Sequence, residues 1–262
     1  DLHRRRHSFP TRRSSDLKEK TVLDYNLVVV EGADNVGKTT ATKIIEDYYH
    51  ELGYMTKYYN LPGGSQVGNV IRNNIWKDHS VDVMDSTYTP VHLMLACLSE
   101  IHKDIQNNKT NNNGKIVFIL DRWLYSIMVY HGENIINYDM MLNINQYPYV
   151  PIPKLIIGIM RDIDSAAIHY DVNDKQERTY LEDNKYNEIS KIFSAKFTAY
   201  FRYYDPNYNC TSDHPTDKLN RENYLNSYLH KSLVVIDNNS TLDKFKEDII
   251  DTIKSSKINT NE

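Results

Sequence analysis

The chain reads as a three-layer α/β domain, a five-stranded parallel sheet with helices on both faces. Three observations predict this. Short Val- and Ile-rich runs alternate with segments of helical period, as strands buried on both faces and joined by helical crossovers require. A glycine-rich turn, Gly32 to Thr39, joins the first of these runs to the helix that follows it. An Asp-Arg pair, Asp121-Arg122, ends the third run, where open parallel sheets gather ligands beyond the carboxyl ends of their strands.

Strands are expected at residues 27–30, 55–59, 116–120, 155–159 and 233–236. Between the first two, Ala41, Ile44, Ile45, Tyr48 and Leu52 fall on one helical face, and Gly53 provides the stop. A second face comprises Val91, Met94, Leu95, Leu98, Ile101 and Ile105. Cys97 on that helix, together with Trp76 and Trp123, reads as packing. The Asn-rich run 106–114 is a loop, and the polar, Tyr-rich stretch 203–230 reads as an insertion before the last strand.

The opening residues stand apart from this pattern. Residues 7–17, HSFPTRRSSDL, read as translated DNA of a sequencing-library adapter, so residues 1–17 are treated as a non-native segment and 18–262 as a single domain. The first 17 residues hold five of the Arg and two of the Asp, which leaves 26 basic against 33 acidic side chains in the rest. An acidic chain without a basic face is a poor partner for nucleic acid polymers. No apolar run approaches the roughly 20 residues of a membrane span. The two cysteines, Cys97 and Cys210, are too few for a disulfide framework and point to a reducing cytoplasmic setting. Cys210 and His214 lack a second pair of ligands for a metal.

Residues Gly32-Ala33-Asp34-Asn35-Val36-Gly37-Lys38-Thr39 form a complete GxxxxGK[ST] between a strand and a helix, the context a phosphate-binding P-loop needs. Glycines let successive main-chain N–H groups turn inward, and the helix N-terminus adds positive potential, so the loop cradles the β-phosphate of a nucleotide. Lys38 is placed to bridge the β- and γ-phosphates of ATP, with Thr39 as a ligand to Mg²⁺. At the end of the third strand, Asp121 can meet the water shell of the same Mg²⁺ and Arg122 can neutralise a transferring or accepting phosphate.

These residues resemble the thymidylate kinases. That family's phosphate loop reads like Glu31-Gly32-Ala33-Asp34 through Thr40, and its later motif, DRW-x-x-S-x-x-x-Y-x-G, reads like Asp121 to Gly132. The resemblance continues through Pro62-Gly63-Gly64-Ser65, Pro153-Lys154-Leu155 and a lid-like stretch at about 169–184. It implies a P-loop kinase with strand order 2-3-1-4-5 that phosphorylates deoxythymidine monophosphate with ATP and Mg²⁺, and that forms a homodimer. It places Gly32, Asn35, Val36, Gly37, Lys38, Thr39 and Thr40 at ATP, and Arg178 of the lid closing over it. It also places Asp34 at the sugar 3′-hydroxyl, Arg122 at the acceptor phosphate, and Ser126, Tyr130 and His131 near the base.

The chain departs from the family pattern on the acceptor side. Asn60-Leu61-Pro62 stands where the family has Arg-Glu-Pro, and Leu95 and Ser99 stand where it has a base-stacking aromatic and a second Arg. Arg72 is a candidate replacement at the acceptor phosphate. A nucleoside acceptor would call for a carboxylate base, which the related deoxynucleoside kinases place after the second strand; Asn60 and Leu61 provide none there, whereas a monophosphate is already ionised. Three readings stand at this point: a kinase for deoxythymidine monophosphate, a kinase for a nucleoside or another deoxynucleotide, and a nucleotide-binding relative without activity.

Overall fold

The computed structural model describes residues 24–76, 88–131, 148–162, 191–199, 201, 232–256 and 258. Five strands, β1 (Asn26–Glu31), β2 (Met55–Asn60), β3 (Ile116–Asp121), β4 (Leu155–Met160) and β5 (Leu233–Asp237), form one parallel sheet in the order β2-β3-β1-β4-β5. This is the order expected from the family resemblance, and the strand positions agree to within a residue or two. The adapter-like segment 1–17, the lid at 169–184 and the insertion at 203–230 lie outside the described residues.

Burial explains why the central strands are continuous apolar runs. In β1 and β3 successive side chains point to opposite faces, yet Leu27 to Val30 and Val117 to Leu120 are all completely buried. Both faces of the sheet must therefore be covered. The outer strands β2 and β5 keep exposed positions, among them Tyr58 and Val234.

Helix α1 (Lys38–Glu51) packs against β1, β2 and β3 and against the last helix, α5 (Leu242–Ser255). Its buried face is Ala41, Ile45 and Tyr49, with Ile44 and Tyr48 half-buried beside it. Leu52, expected on that face, is 47% exposed because the helix ends at Glu51 and the chain turns away at Gly53, whose φ is 76°. A short helix α2 (Gln66–Val70) and a π-turn over Ile71–Trp76 follow β2, and then come α3 (Thr89–Asn108) and α4 (Leu124–His131). Helix α3 buries Val91, Met94, Cys97, Leu98, Ile101 and Ile105 and contacts α4. Leu95 is half-buried against the same core.

The helical residues 191–199 bring Phe193 and Phe197 to Tyr130 of α4 at ring-centroid distances of 4.4 and 5.8 Å. Phe201 packs on Tyr125 and presses so close to β4 that a side chain at Gly158 would meet its ring at 3.0 Å. The aromatic layer thus fixes α4 over the carboxyl end of the sheet.

Leu98 is completely buried in α3. Leu98→Ala should lower the unfolding free energy by about 2–5 kcal/mol. Urea titration followed by far-UV circular dichroism measures this, and a loss below ~1 kcal/mol would contradict the packing described here.

Candidate functional site

The site begins where β1 ends. The chain reverses at Gly32 (φ 147°), where a Cβ would stand 2.5 Å from the Ile159 carbonyl oxygen. Only glycine fits there. Asn35 (φ 63°) and Gly37 (φ 105°) also take positive φ, which Asn and Gly tolerate best among the residues. The loop then enters α1, whose N-cap, Gly37, offers no side-chain cap and whose first turn has no acidic residue. The first N–H groups of a helix lack intrahelical partners, so the turn presents donors and positive potential to an anion.

Lys38 lies folded under this loop. It is 7% exposed, its Nζ donates to the Ala33 carbonyl at 2.5 Å, and it stands 3.9 Å from Asp34 Oδ1. Burial pushes the Lys38 ammonium down to about 8, helped by the charge of Arg122 and opposed by Asp34, Asp121 and Glu31. Thr39 and Thr40 are exposed at the start of α1.

β3 delivers the second half of the site. Arg122 takes a left-handed φ of 73°, and its N–H donates to the Val30 carbonyl at 2.9 Å. Its guanidinium forms an ion pair with Asp34, lies 3.4 Å from both the Gly32 carbonyl oxygen and Ser126 Oγ, and sits 5.0 Å over the Tyr130 ring. Burial works against the charge of Arg122, but Asp34 and then Tyr130 and Asp121 more than offset it and hold its pKa above the usual value. Asp121 accepts from the Tyr58 hydroxyl through Oδ2 at 3.4 Å, while its Oδ1 is buried and has no hydrogen-bond partner among the described residues. The Tyr130 hydroxyl donates to Asp34 Oδ2 at 3.4 Å.

The structure therefore brings Asp34, Lys38, Arg122 and Tyr130 into one contact network at the carboxyl ends of β1 and β3, with Asp121 beside it. Ser126, expected near the acceptor base, is 2% exposed, and its hydroxyl donates to Glu31 Oε2 at 2.5 Å and receives Arg122 Nη1 at 3.4 Å. Arg72 is half-buried and its Nη1 donates to the Pro62 carbonyl at 3.0 Å, bracing the loop after β2. The His131 side chain and Arg178 lie outside the described residues, as do Cys210 and His214.

Two residues of the site are given no role by the sequence. Glu31 is completely buried and accepts from the main-chain N–H groups of Trp123 (2.7 Å) and Ser126 (3.1 Å) as well as from the Ser126 hydroxyl. Its burial raises its pKa, and the hydrogen bonds of Ser126 oppose the rise. Asn238, just beyond β5, donates from Nδ2 to the Val36 carbonyl at 2.8 Å. That amide would be only 2.5 Å from a Cβ at position 37, which gives the second P-loop glycine its reason.

A phosphate loop at the head of the central strand, with an arginine held beside it by a carboxylate, defines a P-loop phosphotransferase. The family model for thymidylate kinase matches residues 30–223. The chain belongs to the thymidylate kinase family, and it is a nucleoside monophosphate kinase. It is 30% identical over 170 residues to the "Probable thymidylate kinase" of Methanosphaera stadtmanae, covering 64% of this chain and 85% of that protein. It is 28% identical over 130 residues to the corresponding protein of Pyrococcus horikoshii, where the match spans 50% of this chain and 62% of that protein. The fold is shared with the solved thymidylate kinases of Candida albicans (TM-score 0.54, 19% identity, 88% of this chain and 92% of that one) and Ehrlichia chaffeensis (TM-score 0.51, 16% identity, 87% and 98%).

Because Arg122 meets Asp34 through Nη2 while Nη1 reaches both Ser126 Oγ and the Gly32 carbonyl, two nitrogens of one planar fork are used at once and lysine cannot replace it. Arg122→Lys should reduce kcat/KM for the acceptor by about 10²-fold while far-UV circular dichroism stays that of the wild type. Kinetics within about threefold of wild type would show that the fork is not required.

Proposed function

We propose that this kinase transfers the γ-phosphoryl group of ATP to deoxythymidine monophosphate, giving ADP and the diphosphate. The observation that supports this most is the convergence of Lys38 and Arg122 on Asp34 beside the P-loop, each within ion-pairing distance of its carboxylate. Lys38 is assigned to the β- and γ-phosphates, and the first-turn N–H groups of α1 to the β-phosphate. Arg122 is assigned to the acceptor phosphate and Asp34 to the sugar hydroxyl, so the acceptor replaces part of the ion pair they make with each other.

The acceptor monophosphate needs no proton removed, and no carboxylate follows β2, where Asn60 and the buried Leu61 stand. Catalysis then rests on alignment of the two phosphates and on neutralisation of their charge. The donor set also fits Mg²⁺. Among the described residues the buried Asp121 Oδ1 lacks a partner, Thr39 is exposed at the mouth of the loop, and Mg²⁺ in such sites binds through one or two protein oxygens with waters and phosphates supplying the rest. Bound there, the ion would neutralise negative charge on the triphosphate.

The same proposal treats residues 18–262 as one domain, makes the lid with Arg178 a cover for ATP, and keeps Arg72, Tyr130 and His131 at the acceptor. Among the described residues no helix is long and apolar enough to cross a membrane, and Cys97 is a buried free thiol, which supports a cytoplasmic setting. Homodimerisation enters the proposal from the family resemblance.

ADP release measured across thymidine, its monophosphate and the other deoxynucleoside monophosphates tests the acceptor. Deoxythymidine monophosphate should give the highest kcat/KM, and faster turnover of thymidine would reverse the assignment. In the same assay Lys38→Ala should lose activity by at least about 10³-fold with the fold retained. Undiminished turnover in that variant would remove Lys38 from the ATP site.

A further inference from the structure

The residues assigned to phosphoryl transfer are those that face the nucleotide, and Glu31 is not among them. It is completely buried behind the loop, and Oε1 takes the main-chain N–H groups of Trp123 at 2.7 Å and Ser126 at 3.1 Å, while Oε2 takes the Ser126 hydroxyl at 2.5 Å. A carboxyl group in such a place is costly unless its hydrogen bonds are needed, and an apolar side chain of similar volume would fill the space at less cost. The donors explain the need. Trp123 immediately precedes α4, where a helix normally finds a Ser, Thr, Asp or Asn to hold its first free N–H groups. An indole cannot accept those bonds, so Glu31 caps α4 from another strand.

The capped residue is the neighbour of Arg122. Arg122 sits at φ 73°, a conformation unfavourable for a residue with a long side chain, and must be held there. On one side its own N–H is held by the carbonyl of Val30, and on the other the N–H of Trp123 is held by the carboxylate of Glu31. Two consecutive residues of β1 therefore clamp the backbone on both sides of Arg122. Ser126, which receives a contact from Arg122 Nη1 at 3.4 Å, is pinned to the same carboxylate.

We propose that Glu31 is a positioning residue for phosphoryl transfer, fixing the Arg122 turn so that the guanidinium meets the acceptor phosphate. It acts as a hydrogen-bond acceptor at a fixed place, not through contact with either substrate. The inference rests on the assignment of Arg122 to the acceptor phosphate made above.

The experiment compares the wild-type chain with Glu31→Ala, Glu31→Gln and Ser126→Ala. Steady-state kinetics are run with ATP and deoxythymidine monophosphate, and titration calorimetry reports ATP binding alone. Misplacing Arg122 in Glu31→Ala should cut kcat/KM for the monophosphate by about 10²-fold, since a displacement on the order of 1 Å has that effect, while the Kd for ATP moves by less than about twofold. Glu31→Gln should recover activity to within about threefold of wild type, because its amide oxygen accepts both N–H groups and the Ser126 hydroxyl can turn to accept from its nitrogen.

Equal loss of ATP binding and acceptor kinetics in Glu31→Ala would reduce Glu31 to a general structural prop and overturn the proposal. Glu31→Gln as impaired as Glu31→Ala would overturn it too, by assigning the effect to charge. If Glu31→Ala does not fold, Ser126→Ala decides. It should raise the acceptor KM by about threefold with ATP binding unchanged, and an unaltered KM sinks the idea. Failure of the functional reading looks different, since a wild-type chain that neither binds nor phosphorylates any monophosphate removes both assignments at once. Wild-type turnover with variants indistinguishable from it removes Glu31 alone.

Discussion

Everything at this site depends on the register of β1 against β3. Val30 lies opposite Asp121, so Glu31 and the P-loop leave the sheet beside the point where Asp121 and Arg122 leave it. Strand side chains alternate between faces, so a slip of one residue would exchange the two packed faces of β1, break the close fit of its side chains against the covering helices, and carry Arg122 away from Asp34. The core therefore fixes the relative position of two functional segments that are some ninety residues apart in the chain.

Charge at the site is balanced internally. Lys38 is a buried cation and Arg122 a half-buried one, and Asp34 serves both of them, while Asp121 and Glu31 add negative potential from either side. Such a network holds its members in place by compensation, because each buried charge would be expensive alone. It also sets the terms for a ligand, since phosphate oxygens can take over the role of Asp34 toward Lys38 and Arg122 without leaving either cation bare. The short loop between β5 and α5 contributes Asn238, which ties the P-loop to the far side of the sheet and leaves no room for a side chain at Gly37.

The acceptor side shows how fold and specificity can separate. The positions at which the family resemblance expects a stacking aromatic, two arginines and a glutamate hold Leu95, Ser99, Asn60 and Leu61, and the structure absorbs the apolar ones into the core: Leu61 is 2% exposed and Leu95 packs beside the buried face of α3. Arg72, a candidate substitute, donates from Nη1 to the Pro62 carbonyl, a bond that leaves out the other nitrogens of its guanidinium. The fold is indifferent to these changes because none touches the register of the central strands.

The sequence by itself determined the parallel sheet and its strands, since continuous apolar runs and helical periods are local patterns that burial on two faces demands. It also determined the phosphate loop, because Gly32, Asn35 and Gly37 occupy backbone conformations that few other residues tolerate, and that requirement is written within eight positions. The buried face of α1 was legible apart from its end, where Leu52 falls beyond the last helical turn. Only the tertiary structure decided the partners of the site. Nothing near Glu31 announces that it caps a helix about ninety residues away, nothing near Asn238 points to Val36, and nothing near Ser126 shows that its hydroxyl is held by Glu31. Those pairings are made across strands by the packing of the sheet, and a hydrogen bond between distant residues leaves no period or spacing in the chain from which it could be read.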